Sequence, residues 1–317
     1  TYLLKRLQSQ IYMYYSLTVL IIFVLTTGVF TGLLVKNVTQ ELSAQLSSNV
    51  RVLELSLDTK REELLSDARV FASDPKLIEA VINNDQLQLA DLAQSFMLLK
   101  NVSGLTVVNS NGQVIARGEE VERIGESLST DSLVRRGLEG EGISSVLTRD
   151  GVLAPEVALR ALWPVLDGEE SVTGAVLISV LIDNAYVDGI KSATDLDTTV
   201  YGDERISATT FVDESGSRRV GLKETNKNIL DQVLVKGEAY SGAVDIVNTP
   251  FYAAYLPLLD LNSDPVGMLN VSEPQSAVLR TAGRSIQLTF VFTGFLWAVA
   301  IVPSYLISRS ISKQLER

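Results

Sequence analysis

Two stretches of this chain carry no charged side chain: residues 11–35 and residues 285–308. At ~1.5 Å per helical residue, each would cross a ~30 Å hydrocarbon layer with room for tilt. Buried core helices rarely sustain such runs, so the sequence predicts two transmembrane helices. A cleaved leader does not suit the first run. The run exceeds a usual leader core, lacks a small-x-small exit and is followed by Lys36 and a polar helical sequence. Flanking charges set the orientation. Lys5, Arg6, Arg309, Lys313 and Arg317 lie on one side, and Lys36, Arg51, Arg280 and Arg284 on the other. That small excess, with Tyr12, Tyr14, Tyr15 and Tyr305 as an aromatic belt on the same side, places both termini in the cytoplasm.

The segment between the runs is acidic. Residues 37–283 hold 37 of the 38 Asp and Glu but only 20 of the 27 Lys and Arg. This balance argues against nucleic acid as a partner and against adhesion to anionic lipid. The chain has no cysteine and no histidine. Disulfides, thiolate nucleophiles, Cys/His zinc sites and Ser-His-Asp triads are therefore excluded. An enzyme here would have to work with carboxylates, Lys, Tyr or Ser, and no carboxylate pair in a glycosidase-like context is visible. No catalytic residue is assigned and no cofactor is expected. The run Gly118-Glu-Glu-Val-Glu122 lacks the spaced ligands and turn glycine of a calcium loop, so it reads as a solvated loop and no metal site is expected.

Residues 38–72 read as a long helix continuing out of the first span. Leu42, Leu46, Val50, Leu53, Leu57, Leu64 and Phe71 recur at steps near 3.5, a stripe that predicts a dimer seam along 38–60, the upper half packing as readily on its own domain. Ser73-Asp74-Pro75 ends the helix and caps the next. Short helices follow near 75–83 and 86–100. The period then changes to that of strands at 105–108 and 113–116 around the turn Asn109–Gly112. A helix near 130–138 and strands at 143–148, 156–165 and 172–183 complete the set. The same order recurs: strands at 198–201 and 205–212, a helix at 227–236, and strands at 239–247, 251–259 and 265–272.

The two sets match at particular residues. Pro164, Asp167 and Gly174 have the spacing of Pro257, Asp260 and Gly267, and Gly137 and Gly142 that of Gly237 and Gly242. The offsets differ by seven, which predicts a longer turn at Arg149–Glu156 in the first copy. Glycine and proline at fixed offsets mark backbone requirements. The predicted fold class is α+β: two transmembrane helices flank a long N-terminal helix and two tandem modules, each with a five-stranded antiparallel sheet. The expected divisions are 1–10 as N-terminal stub, 11–35 as first span, 36–73 as long helix, 74–190 and 191–275 as the modules, 285–308 as second span and 309–317 as the start of a linker.

Residues Tyr201–Phe211, Arg219-Val-Gly221, Lys236–Gly242 and Tyr252–Leu258 leading to Val266–Leu269 resemble the double-Cache receptors, whose two PAS-like modules stack on one long helix. The stub Ile307–Arg317 resembles the opening of a HAMP linker, with Gln314 where that helix usually has proline. The resemblance implies a homodimeric extracytoplasmic sensor region in the inner membrane, with lipid and a small molecule as partners. It would signal through the second span to a cytoplasmic output domain, a histidine kinase as first choice, with a chemoreceptor or a nucleotide or diguanylate cyclase as alternatives. A protein-binding or structural module without a small-molecule ligand is the rival of another class.

Such modules hold ligands between sheet and helical insert. Aligned by proline, Leu162 matches Tyr255 and Arg160 matches Ala253. Strand alternation puts Arg160, Leu162 and Ala158 on one face and Tyr255, Ala253 and Phe251 on the equivalent one. Trp163 then points into the core on the other side. The candidate ligand-binding residues are Arg160, Leu162, Arg205, Tyr240 and Tyr255. Arg160 would grip a carboxylate in the distal pocket; its alternative is a structural salt bridge. The resemblance assigns Arg205 to the family arginine of the proximal second strand. Amino-acid-sensing relatives carry an arginine-tryptophan-tyrosine signature and an aspartate on the last strand of the distal module. The signature is absent and the aspartate's place falls near Ser179, which disfavours a free α-amino acid.

Overall fold

The computed structural model describes residues 2–213, 215–246, 249–276 and 287–299 except 289 and 296–298; among residues 1–49 only some side chains are described. Helix α1 (Tyr2–Ala72) is continuous. Ion pairs Asp58–Arg61 and Lys60–Glu63 join residues one turn apart along it. Helices α2 (Pro75–Ile82), α3 (Gln86–Lys100), α4 (Ser132–Leu138) and α5 (Asn184–Thr194) each start at an aspartate N-cap: Asp74, Asp85, Asp131 and Asp183. Each carboxylate accepts a bond from a first-turn amide that has no helical acceptor.

The first sheet comprises β1 (Gly104–Asn109), β2 (Val114–Arg117), β3 (Ile143–Arg149), β4 (Glu156–Leu166) and β5 (Val172–Leu181) in the order β2-β1-β5-β4-β3. The second comprises β6 (Asp197–Gly202), β7 (Arg205–Thr209), β8 (Tyr240–Ile246), β9 (Thr249–Leu259) and β10 (Pro265–Pro274) in the order β7-β6-β10-β9-β8. The pairs β1–β2, β1–β5, β3–β4, β4–β5, β6–β7 and β6–β10 are antiparallel, and the two orders are the same once the copies are superposed in sequence. The second helical insert begins as α6 (Lys227–Ile229) and continues as a π-helical stretch over Leu230–Val235. The α+β class and the two five-stranded sheets thus stand as expected. Helix α5 was not foreseen, and it spans the expected division at 190/191.

The chain divides into two compact units. One holds Leu46–Ala243 with Ala253–Ser272, and the other Thr1–Gln45, Val244–Tyr252 and Glu273–Arg317. Among the described residues no helix is long and apolar enough to cross a membrane. Several side chains of 11–35 and most of 285–308 lie outside the described set, as does the HAMP-like stub 309–317.

The stripe on α1 needs correction. Leu46, Val50, Leu53, Leu57, Leu64 and Phe71 are all buried within the single chain, so they are core and not a free seam. A 3.5-residue period reports that a helix buries one face, and an intramolecular sheet satisfies it as well as a second helix does. In the upper half, Phe71 packs on Phe96 at 4.4 Å between centroids, and Asp67 pairs with Lys100 at 2.7 Å. Among the described residues of this stretch, Val52, Leu55 and Val70 are the large apolar side chains left exposed.

Candidate functional site

The register of the first sheet builds one polar wall. Arg160 on β4 lies opposite Ser145 on β3 and Ser179 on β5, and Ser179 lies opposite Gly104 on β1. Residues facing each other across strands share a face, so Arg160, Ser179 and Gly104 look to one side. Two steps along, Ala158 faces Leu147 and Leu181, and Arg117 on β2 faces Thr106 on β1. A cavity of about 130 Å³ sits on this wall, lined by Gly104, Arg117, Leu147, Ala158, Arg160, Ser179 and Leu181 with Ser103 and Arg149. Glu119, Glu120 and Arg123, from the loop after β2, roof it. The side of Gly104 is tight, since a Cβ there would meet Ser179 Oγ at 2.6 Å and Glu119 Oε1 at 3.1 Å.

The guanidinium groups around the cavity are mostly satisfied. Arg117 donates to Glu126 and to the Arg123 carbonyl. Arg123 pairs with Glu120, and Arg149 with Glu156. Arg160 donates from Nη1 to Asp131 at 2.7 Å, so the structural salt bridge weighed for it exists. Asp131 is also the N-cap of α4, accepting from Leu133 and Val134. One donor is left over: Arg160 Nε is buried and has no acceptor. The acidic run is not solvated throughout, because Glu119 Oε2 accepts from the Leu105 amide at 2.9 Å where β2 has ended. Among the described residues no acidic cluster could hold a metal ion.

Leu162 shares the Arg160 face but is fully buried in the core with Val108, Leu133, Val134 and Leu177. A Cβ on Gly137 would meet Leu162 Cδ2 at 1.8 Å, so α4 rests directly on this leucine. Leu162 therefore supports the insert instead of lining the cavity. Trp163 is half-buried and not core: Arg69 of α1 stacks 5.2 Å from its ring.

In the second module Tyr240 and Tyr255 do come together, edge to face at 6.1 Å, and Tyr201 joins them at 6.3 Å from Tyr255. Tyr255 is fully buried and donates to Glu224 at 3.5 Å. Burial first, with the neighbouring charges and phenols, pushes the Tyr255 phenol far above its ordinary value; burial and Glu224 do the same to Tyr201. Glu224 is held by the amides of Thr225 and Asn226. Arg205 is exposed at the start of β7 and is not among these residues. Sequence reasoning missed Arg117, Arg149, Glu119 and Tyr201. The alternation of β2 and β3 could have signalled the first two, but the fold of the loop after β2 leaves no local pattern.

Two sheets of like order, each with a helical insert over one face and one long helix behind, define a tandem PAS-like sensor region. The family profile described as the double sensory domain of two-component sensor kinases matches residues 39–279, and the chain belongs to this double-Cache family. Its fold is similar to the periplasmic domain of Vibrio cholerae LuxQ, at 16% identity and a TM-score of 0.50, covering 73% of this chain and 99% of that one. It is similar also to the extracellular domain of the putative histidine kinase vpHK1S-Z8, at 14% identity and a TM-score of 0.51, covering 79% and 96%. No curated protein sequence matches the chain.

Proposed function

We propose that the chain is the ligand-sensing and transmembrane-signalling part of a homodimeric receptor, with the distal cavity as its sensor site for a small carboxylate. The observation that carries this is Arg160, a residue lining a polar cavity whose Nε is a buried donor without an acceptor. A buried, unpaired N–H costs free energy that an incoming oxygen returns. The cavity volume suits a molecule of a few heavy atoms. The ligand's second oxygen would compete with Asp131 for the guanidinium edge.

In this reading 11–35 and 285–308 span the inner membrane, and 37–283 lies outside. Thr18 and Thr26 support it, since their hydroxyls bond back to the Tyr14 and Ile22 carbonyls and need no water. The modules are 74–190 and 191–275, with α5 bridging the division, and β10 leads toward the second span and a HAMP linker. The output domain of first choice is a histidine kinase. A ligand biases the receptor by its differential affinity for two arrangements, typically ~1–3 kcal/mol.

The test is a thermal-shift screen of the purified chain against small mono- and dicarboxylates. A ligand at 100 times its Kd adds ~2.7 kcal/mol of stability. A stabilising carboxylate that fails to stabilise Arg160→Ala supports the reading. Stabilisation only by neutral molecules, or equal stabilisation of both proteins, counts against it.

A further inference from the structure

Strand β3 has two faces with different neighbours. Leu147 and Arg149 line the distal cavity. Thr148, between them, points the other way along the pleat. Its Oγ1 donates to the Val266 carbonyl on β10 at 2.6 Å, linking residues 118 apart. The same carbonyl accepts from the Asp203 amide at 3.0 Å. Val266 thus joins the distal module's edge strand to the turn between β6 and β7.

The hairpin beyond β3 presses on the same turn. A Cβ on Gly202 would meet Thr148 Cγ2 at 2.7 Å and Pro155 Cβ at 2.8 Å. Gly221, at φ +77°, would bring one to 2.9 Å from the Leu153 carbonyl. The connection is six residues, 150–155, whereas only 247–248 separate β8 from β9. The longer turn of the first copy is therefore the part that reaches the second. Asp150 also sits near enough to Asp203 for their like charges to interact.

We propose that the β3–β4 hairpin, through the Thr148–Val266 hydrogen bond, is the mechanical link that carries the state of the distal cavity to strand β10. The proposal rests on the distal cavity being the sensor site, and it names the route out of it. Arg160 pairs across β4–β3 with Ser145, so a shift at Arg160 moves β3 as a unit. Thr148 then moves the first residues of β10, which lies between β6 and β9 in its sheet.

Hydrogen exchange on the whole chain in nanodiscs tests this with variants and no ligand. Arg160→Ala disturbs the distal site. It should raise exchange several-fold at residues 266–270 in the otherwise native protein. Thr148→Val keeps the shape and removes the donor, and in that background Arg160→Ala should leave 266–270 unchanged. Thr148→Ser keeps a hydroxyl and should restore the response. An equal response with and without the Thr148 hydroxyl, or no response at 266–270 to Arg160→Ala, overturns the link. Acetate on the same samples reads the cavity separately: failure to protect 158–162 and 177–181 counts against the sensor site, while the variants still decide the route.

Discussion

Arg160 and Leu162 differ by one step of the pleat repeat on a single face, yet they do different work. Arg160 reaches a polar cavity, while Leu162 lies in the core under Gly137. Leu162→Ala should therefore cost about 2–5 kcal/mol of stability through the void it leaves, measured by denaturant unfolding, with little effect on ligand affinity in the folded fraction. Alternation told which face these residues share but not how far the helical insert extends over it. Ser179, the place left by the missing family aspartate, does line the cavity. The acidic turn at the module junction gives a pH prediction. Burial, and then Asp150 and Glu204, raise the Asp203 carboxyl above its ordinary value; Glu204 itself pairs with Lys223. A raised acid binds its proton more tightly in the folded state, so its contribution favours folding below the unfolded value and is lost as pH rises through the folded one. Asp203→Asn, which suits the φ of +49°, should melt higher than the native protein at neutral pH, with the gap closing in acid. A gap that persists unchanged at low pH would assign the effect to packing.

At the scale of elements, hydrophobic period and turn chemistry made both sets of strands and their recurrence along the chain legible in the sequence. Strands showed period two, and Gly and Pro recurred at matched offsets. Helix α5 was not legible, because Asn184–Thr194 mixes small and polar residues and buries only Val187 and Ile190. The stripe on α1 was legible as a stripe, but its partner was not, since burial within its own chain leaves the same period as a dimer seam. If α1 also pairs with a second copy, the contact must use the other face. Single cysteines at Val52 and Leu55 should then crosslink between copies faster than cysteines at Leu53 and Leu57, and the native chain contributes no background thiol. Preferential crosslinking at Leu53 and Leu57 would require the helix to leave its own domain in the dimer.

For the whole molecule, the acidic middle and the two uncharged runs predict a receptor held across a membrane. Protease added outside spheroplasts should cut a site engineered after residue 150 and spare sites after residues 10 and 317; protection of the middle site would contradict the topology. The sensor reading turns on a single guanidinium. Titration calorimetry of the stabilising carboxylate against the native chain, Arg160→Ala, Arg160→Lys and Tyr255→Ala tests it most directly. Loss of a charge-assisted contact of ~1.5–3 kcal/mol should weaken Arg160→Ala roughly 10- to 150-fold. Arg160→Lys should recover part of this, because an ammonium lacks the planar fork, and Tyr255→Ala should bind like the native chain wherever it folds. Native affinity in Arg160→Ala together with loss in folded Tyr255→Ala would place the sensor in the proximal module and contradict this account.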